Sequence, residues 1–244
     1  MSDEITGRVP TAYKRRAEMY STERGEGPAV VFAHGTLMDR TMFEPQLAAL
    51  SDAYRCIAYD LRARTDQHDT EYDLYDLADD AVALFDAKDI DSCVFVGMSM
   101  GGFTALRLAD RYPDRIDGLV LIDSDALTHP ESAREQYSQM VDATRDNGRP
   151  SQKLVSIIQQ ILFGATTNET NQALVSHWSD RWRSYPGEAV YNEVHSWLER
   201  PDFRAECADI TAPVLAIHGE EDVSIEMDHA RQTVEAFPNA TLNP

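Results

Sequence analysis

Short apolar runs alternate with longer amphipathic stretches through most of this chain, and that pattern demands a mostly parallel sheet with helices on both faces. Ala29–Ala33 follows Gly27-Pro28 and reads as a buried strand, as does Arg55–Tyr59. Between them, residues 43–50 read as a short helix. Leu74, Leu77, Ala81, Leu84 and Phe85 recur at helical spacing and predict a helix over 72–87. Strands follow at 93–96, 119–122 and 213–217, with helices at 100–112, closed by Pro113, and at 225–237, stopped by Pro238. The interval 126–206 breaks the alternation. It is helical in pattern, rich in Trp and Arg, and holds no convincing strand. Lying between two strands of the sheet, it is where an inserted lid would cover the sheet's carboxyl edge. The expected layout is a core of 1–125 and 207–244 with a helical lid at 126–206. Residues 11–25 fit either a short antiparallel hairpin or a helix.

With 244 residues the chain has room for one domain with a sizeable core. Hydrophobic residues make up 43%, which places it among globular proteins. No stretch approaches the roughly 20 apolar residues of a spanning helix. Met1 to Pro10 is polar and lacks an apolar signal segment, so a cytoplasmic protein is the simplest expectation. The formal net charge of −20 argues against nucleic acid and against an anionic membrane surface as partners. The only lysines are Lys14, Lys88 and Lys153, and an acidic, lysine-poor surface of this kind is halophile-like. Cys56, Cys93 and Cys207 are widely spaced in apolar contexts, with no metal-ligand spacing, so buried, reduced, structural cysteines are expected and no metal site. Nothing in the sequence encodes a particular oligomer.

Gly97-Met98-Ser99-Met100-Gly101 matches G-x-S-x-G, with Gly102 following. Five residues with three fixed positions arise by chance, so context decides. A strand runs directly into this segment and a helix runs directly out, which is the setting a nucleophile elbow requires. The turn forces a strained backbone at Ser99, and small residues at 97 and 101 let the chains pass. The helix start points its amides toward developing negative charge.

Taken in order, His34-Gly35, Tyr59-Asp60-Leu61-Arg62, Gly97–Gly102, Leu121-Ile122-Asp123 and His218-Gly219-Glu220-Glu221-Asp222 resemble the markers of the α/β-hydrolase superfamily, over about residues 27–239. The Ser-x-Met-Gly-Gly elbow with a helical lid looks most like its arylesterase, enol-lactonase and cofactor-free perhydrolase branch. The resemblance implies that the backbone N–H groups of Thr36 and Met100 form the oxyanion hole and that His34 is structural. It makes Asp222 the triad acid, with Glu220 and Glu221 as adjacent alternatives and Asp123 as a weaker one. Serine at 99 argues against haloalkane dehalogenase and epoxide hydrolase chemistry, which this superfamily runs on a carboxylate nucleophile. One departure is visible: relatives usually carry a Gly-rich loop after the aspartate at position 60, where this chain reads Leu61-Arg62-Ala63-Arg64-Thr65.

The triad order in this fold is Ser, acid, His. Only 22 residues follow Asp222, and the one histidine among them, His229, falls in the predicted helix 225–237. His68 lies in the loop after Asp60, His218 precedes the acid turn, and His129, His177 and His195 belong to the expected lid. Two readings follow: a chain missing its C-terminal strand, His loop and closing helix, or a member that has lost its base. Ala-Thr-Leu-Asn-Pro begins like the last strand and then ends abruptly, which favours the first. The expected function is hydrolysis of a small-molecule carboxylic ester or lactone through an acyl-enzyme on Ser99, needing neither cofactor nor metal. Leu37, Met98, Phe163, Trp178 and Trp182 are candidate pocket walls. The rivals are a perhydrolase or C–C hydrolase on the same elbow, and a base-lacking fold used as a binding module.

Overall fold

The computed structural model describes residues 20–244, so most of the 11–25 segment lies outside the described residues. What is described of it, Ser21–Arg24, is a strand, β1. Six more follow: β2 (Ala29–Ala33), β3 (Arg55–Tyr59), β4 (Cys93–Met98), β5 (Ile116–Ile122), β6 (Val214–Ile217) and β7 (Ala240–Asn243). They form one sheet in the order β1-β3-β2-β4-β5-β6-β7. β1 runs antiparallel to β3, and all other neighbours are parallel. The last strand, expected to be missing, is therefore formed. Its four residues alternate between half-buried and exposed, as suits an edge strand, and that leaves little apolar signal to read.

The helices of the first half are α1 (Glu44–Leu50), α2 (Leu74–Ala87) and α3 (Met100–Arg111). The predicted 43–50 helix is a 3-10 turn at Arg40–Phe43 running into α1. α2 starts at Leu74, two residues later than its periodicity suggested, because Asp73 caps it. The Asp73 carboxylate accepts from Tyr75 and Asp76 N–H, and the Asp76 carboxylate accepts from Asp73 N–H. Eight of its fourteen residues are buried, so the apolar stripe and not the capping box anchors it to the sheet.

Between β5 and β6 the chain is helical throughout, with α4 (Glu131–Asp146), α5 (Gln152–Leu162), α6 (Ala165–Thr170), α7 (Gln172–Ser184), α8 (Gly187–Leu198) and α9 (Arg204–Cys207). α10 (Met227–Glu235) follows β6 and is shorter at both ends than the predicted 225–237. The three cysteines are free and buried. Among the described residues no helix is long and apolar enough to cross a membrane.

This topology fixes where a ligand can sit. After β2 the chain adds β3 on one side, then returns to place β4 on β2's other side. The loops after β2 and β4 diverge at that switch point, and the crevice at the strands' carboxyl ends is where open α/β sheets bind ligands. Thr36 follows β2 and Ser99 follows β4.

Candidate active site

Ser99 joins β4 to α3 with φ 48° and ψ −113°, a conformation that costs an L-residue about 1–3 kcal/mol. Such strain persists only where the surroundings over-determine it, and here they do. The Ser99 N–H donates to the Ile122 carbonyl (2.9 Å). Its own carbonyl accepts from Gly102 N–H (2.8 Å), Phe103 N–H (3.0 Å) and the Ser124 hydroxyl (3.1 Å). Side chains are excluded on both flanks: a Cβ on Gly97 would collide with the Gly101 carbonyl, and one on Gly101 with that of Ala33. The Ser99 hydroxyl makes no hydrogen bond among the described residues, so the turn holds the backbone and leaves Oγ free.

The loop after β2 is built around His34, which is fully buried. Leu61 N–H donates to its Nε2 (3.0 Å), so its proton sits on Nδ1 and is donated to the Gly35 carbonyl (2.9 Å). Both ring nitrogens are used, which makes His34 structural. Burial, and then the charge of Arg64, lowers its pKa from 6.5 to about 3. The sign of the pH dependence follows. As pH falls through 6.5 the unfolded chain binds a proton that the folded ring refuses, so folding stability is lost from there down to about pH 3. Between pH 7 and pH 4.5 this ring should remove about 2–3 kcal/mol of unfolding free energy. His129, lowered to about 4 by burial, adds a smaller loss of the same sign. Urea unfolding at the two pH values measures this, and equal midpoints would contradict it.

Thr36 and Leu37 follow, with Leu37 at φ 65°. The backbone N–H groups of Thr36 and Met100 donate to no acceptor among the described residues, and Thr36 Oγ1 is buried without a partner. Thr36 and Ser99 line one cavity, and Met100 follows Ser99 directly as the first residue of α3.

The third component is the turn after β6. Asp222 Oδ1 accepts from Ser224 N–H (2.7 Å) and Ile225 N–H (3.1 Å), while its Oδ2 lies 3.6 Å from His218 Nε2. Burial raises its pKa against the pull of those amides. His218 is buried, and its Nε2 donates to the Ile225 carbonyl (2.8 Å). The alternatives to Asp222 are placed otherwise. Asp123, itself at φ 43°, accepts from Gly219 N–H (2.7 Å) and braces the turn. Glu221 accepts from Thr166 N–H (3.0 Å) and Oγ1 (2.5 Å), tying the turn to α6. Glu220 is exposed.

An open cleft of about 610 Å³ joins these parts, lined by Met98, Ser99, Asp123, His218 and Asp222 among others. Beside it lies an apolar cavity of about 80 Å³ that Ser99, Thr36, Leu37 and Phe103 share with side chains of α4, α5 and α8. Ser99 opens onto both, as do Ile161, Leu162, Ser224 and Ile225. Of the sequence-predicted walls, Leu37 lines the cavity and Met98 the cleft, whereas Phe163, Trp178 and Trp182 line neither. Trp182 is fully buried, donates from Nε1 to the Leu37 carbonyl (2.9 Å) and packs on Phe163 at 5.8 Å between ring centroids. Trp178 is buried beside His177. The residues that sequence reasoning missed are His129, Tyr137 and Trp197, which meet ring to ring at 5.4–5.7 Å and wall the cavity. Their signal was the apolar stripe Val190, Val194, Trp197 on α8, which alone does not say what it faces.

The other histidines are engaged elsewhere. His229 Nδ1 lies 3.1 Å from Asp125, His68 bonds the Thr65 carbonyl, and His195 bonds the Tyr191 carbonyl. His177 is exposed.

A family model described as alpha/beta hydrolase fold matches residues 28–243. The chain is 30% identical over 196 residues to 3-oxoadipate enol-lactonase 1 of Acinetobacter baylyi, covering 80% of this chain and 71% of that one. It is 29% identical over 230 residues to a non-heme chloroperoxidase of Streptomyces lividans, covering 89% and 83%. A solved thermophilic esterase of Thermogutta terrifontis superimposes with a TM-score of 0.85 at 25% identity, over 91% of this chain and 82% of that one.

Proposed function

Because the chain is a hydrolase of the α/β-hydrolase fold family, we propose that it cleaves a carboxylic ester or lactone through an acyl-enzyme on Ser99. The observation that carries this is the elbow: a strained, fully bonded backbone presenting a free serine hydroxyl at an apolar cavity that Thr36 also lines. Ser99 Oγ bonds to the acyl carbon, and the negative charge moves to the carbonyl oxygen. The Thr36 and Met100 N–H groups receive it, each such donor lowering the barrier by about 3 kcal/mol. The C–O bond to the alcohol then breaks, the alcohol leaves with a proton, and water releases the acid and restores Ser99. In this reading the proton from Oγ passes to an imidazole base that Asp222 would orient and whose charge it would stabilise. His34 has both ring nitrogens bonded, His218 lines the cleft but spends Nε2 on the Ile225 carbonyl, and His68, His195 and His229 line neither the cleft nor the cavity, so none of them takes this part. Residues 126–206 act as the lid, since α4, α5 and α8 wall the cavity that would hold the acyl group.

A fluorophosphonate probe, read by peptide mass mapping, tests the proposal. An adduct on Ser99 that is absent from Ser99→Ala is the expected result. Intact protein that takes no label would leave the fold as a binding module. The kinship with a chloroperoxidase favours a second reading, a perhydrolase on the same elbow. Peroxide-dependent halide oxidation in acetate buffer, exceeding the esterase rate, would single it out.

A further inference from the structure

The open cleft beside Ser99 has an electrostatic character that ester cleavage leaves unused. Asp123, Glu220, Glu221 and Asp222 all line it, and no lysine or arginine does. Carboxylates alone would be an ordinary solvated wall. What sets this wall apart is His218, which lines the same cleft and is 1% exposed. Its Nε2 donates to the Ile225 carbonyl (2.8 Å), so the lone pair of the neutral ring is on Nδ1. Nδ1 makes no hydrogen bond among the described residues and stands 3.8 Å from Asp123 Oδ1. A carboxylate also only accepts, so two acceptors face each other with no proton to share. A buried acceptor in that position is unsatisfied until a donor or a cation reaches it.

Asp222 completes the arrangement. The neighbouring strands β5 and β6 end side by side, and they deliver Asp123 from one loop and His218 and Asp222 from the next. One donor atom from each of the three lies within 4.8 Å of the other two. All three are braced as metal ligands are, by hydrogen bonds from the atom that faces away from the metal. The Nε2–H of His218 is spent on a backbone carbonyl, which fixes the ring and its tautomer. Asp123 Oδ1 accepts from Gly219 N–H (2.7 Å), and Asp222 Oδ1 accepts from Ser224 N–H (2.7 Å) and Ile225 N–H (3.1 Å). Each carboxylate keeps its Oδ2 without a hydrogen bond among the described residues. A neutral imidazole lone pair and two free carboxylate oxygens in one acidic cleft favour a bound cation.

We propose that Asp123, His218 and Asp222 bind a divalent cation of the zinc class, with its remaining positions open to the cleft that Ser99 also lines. One imidazole and two carboxylates suit Zn²⁺, whereas Mg²⁺ and Ca²⁺ take oxygen donors and more of them. A cation held there occupies the carboxylate that would orient the imidazole base, so it switches ester cleavage off. That consequence rests on the acyl-enzyme reading, and the site itself does not.

Isothermal titration of chelator-treated protein with Zn²⁺ alone tests the site. Zn²⁺ should bind at least about tenfold more tightly than Mg²⁺. Asp123→Asn keeps an acceptor for Gly219 N–H and removes the charge, and it should weaken Zn²⁺ at least about tenfold. Asp222→Asn should do the same, so the test stands if either variant fails to fold. His177→Ala removes an exposed histidine outside the cleft and should leave the affinity within about twofold. No Zn²⁺ binding by the wild-type protein, or affinity unchanged in both asparagine variants, overturns the proposal. Saturating Zn²⁺ should also slow fluorophosphonate labelling of Ser99 at least about tenfold. Undiminished labelling with Zn²⁺ bound overturns the switch. Failure of the acyl-enzyme reading shows separately, as absence of the adduct from metal-free wild-type protein that still binds Zn²⁺.

Discussion

Replacing Ser99 by alanine should lower kcat for ester hydrolysis by about 10⁴-fold or more and leave the fold unchanged. The first half rests on the elbow, since alanine keeps every backbone bond and removes only the attacking oxygen. The second rests on the same geometry. Ser99 Oγ has no hydrogen-bond partner among the described residues, so its loss orphans nothing, and unfolding free energy should move by less than about 0.5 kcal/mol. Ser99→Gly sharpens the test. Glycine tolerates φ 48°, so it should release part of the strain, against about 0.5–1 kcal/mol of added chain entropy in the unfolded state. Ser99→Gly should therefore be as inactive as Ser99→Ala and yet at least as stable as the wild-type chain. Initial rates on a chromogenic ester together with urea unfolding measure both halves. A glycine variant markedly less stable than alanine would show that the turn is not strained.

What could be read from the sequence was what local chemistry encodes. The elbow lies within six residues, and its flanking strand and helix each carry their own periodicity, so Ser99 needed no knowledge of distant contacts. The acid turn was similarly compact, because Asp222 folds its carboxylate onto amides two and three residues ahead. The cavity was not readable in this way. Trp182 and Trp197 both sit on amphipathic helices with buried stripes, and nothing local distinguishes the one that anchors a loop from the one that walls a cavity. The difference arises from partners far along the chain: Trp182 bonds Leu37, 145 residues away, while Trp197 meets Tyr137 and Phe103. β7 failed for another reason, since half of a four-residue edge strand faces solvent and carries almost no pattern.

Arg64 resolves the one departure from the family pattern, and its removal is expected to have the second-largest effect. In place of a Gly-rich loop after Asp60, the chain sets a 3-10 turn at Arg62–Arg64. Besides donating from Nη1 to the neighbouring Ala63 carbonyl (3.0 Å), the Arg64 guanidinium then makes three longer-range ties. Nη2 pairs with Glu193 of α8 (2.8 Å), with both side chains nearly inaccessible. Nε donates to the Met38 carbonyl (2.9 Å), and the ring of Tyr185 stacks 3.8 Å from the guanidinium carbon. One side chain thereby locks the loop carrying Thr36 against the helices between β5 and β6, and Trp182 holds the next carbonyl along, that of Leu37. Removing one member of a buried pair strands the other, so Glu193→Ala should destabilise the protein by about 3–5 kcal/mol. Replacing both, as Arg64→Met with Glu193→Leu, should recover most of that stability, because no uncompensated charge remains. Activity should not recover with it. The Met38 carbonyl has lost its donor, and misplacing an oxyanion amide costs up to about 10²-fold, which would appear in kcat with KM little changed. Arg64→Lys separates charge from geometry, since an ammonium can pair with Glu193 but cannot also fork to Met38 and stack on Tyr185. It should keep more stability than Glu193→Ala and still lose kcat. If the double variant regains stability and rate together, the pair serves the fold alone and the oxyanion loop is held by Trp182 and its own turn.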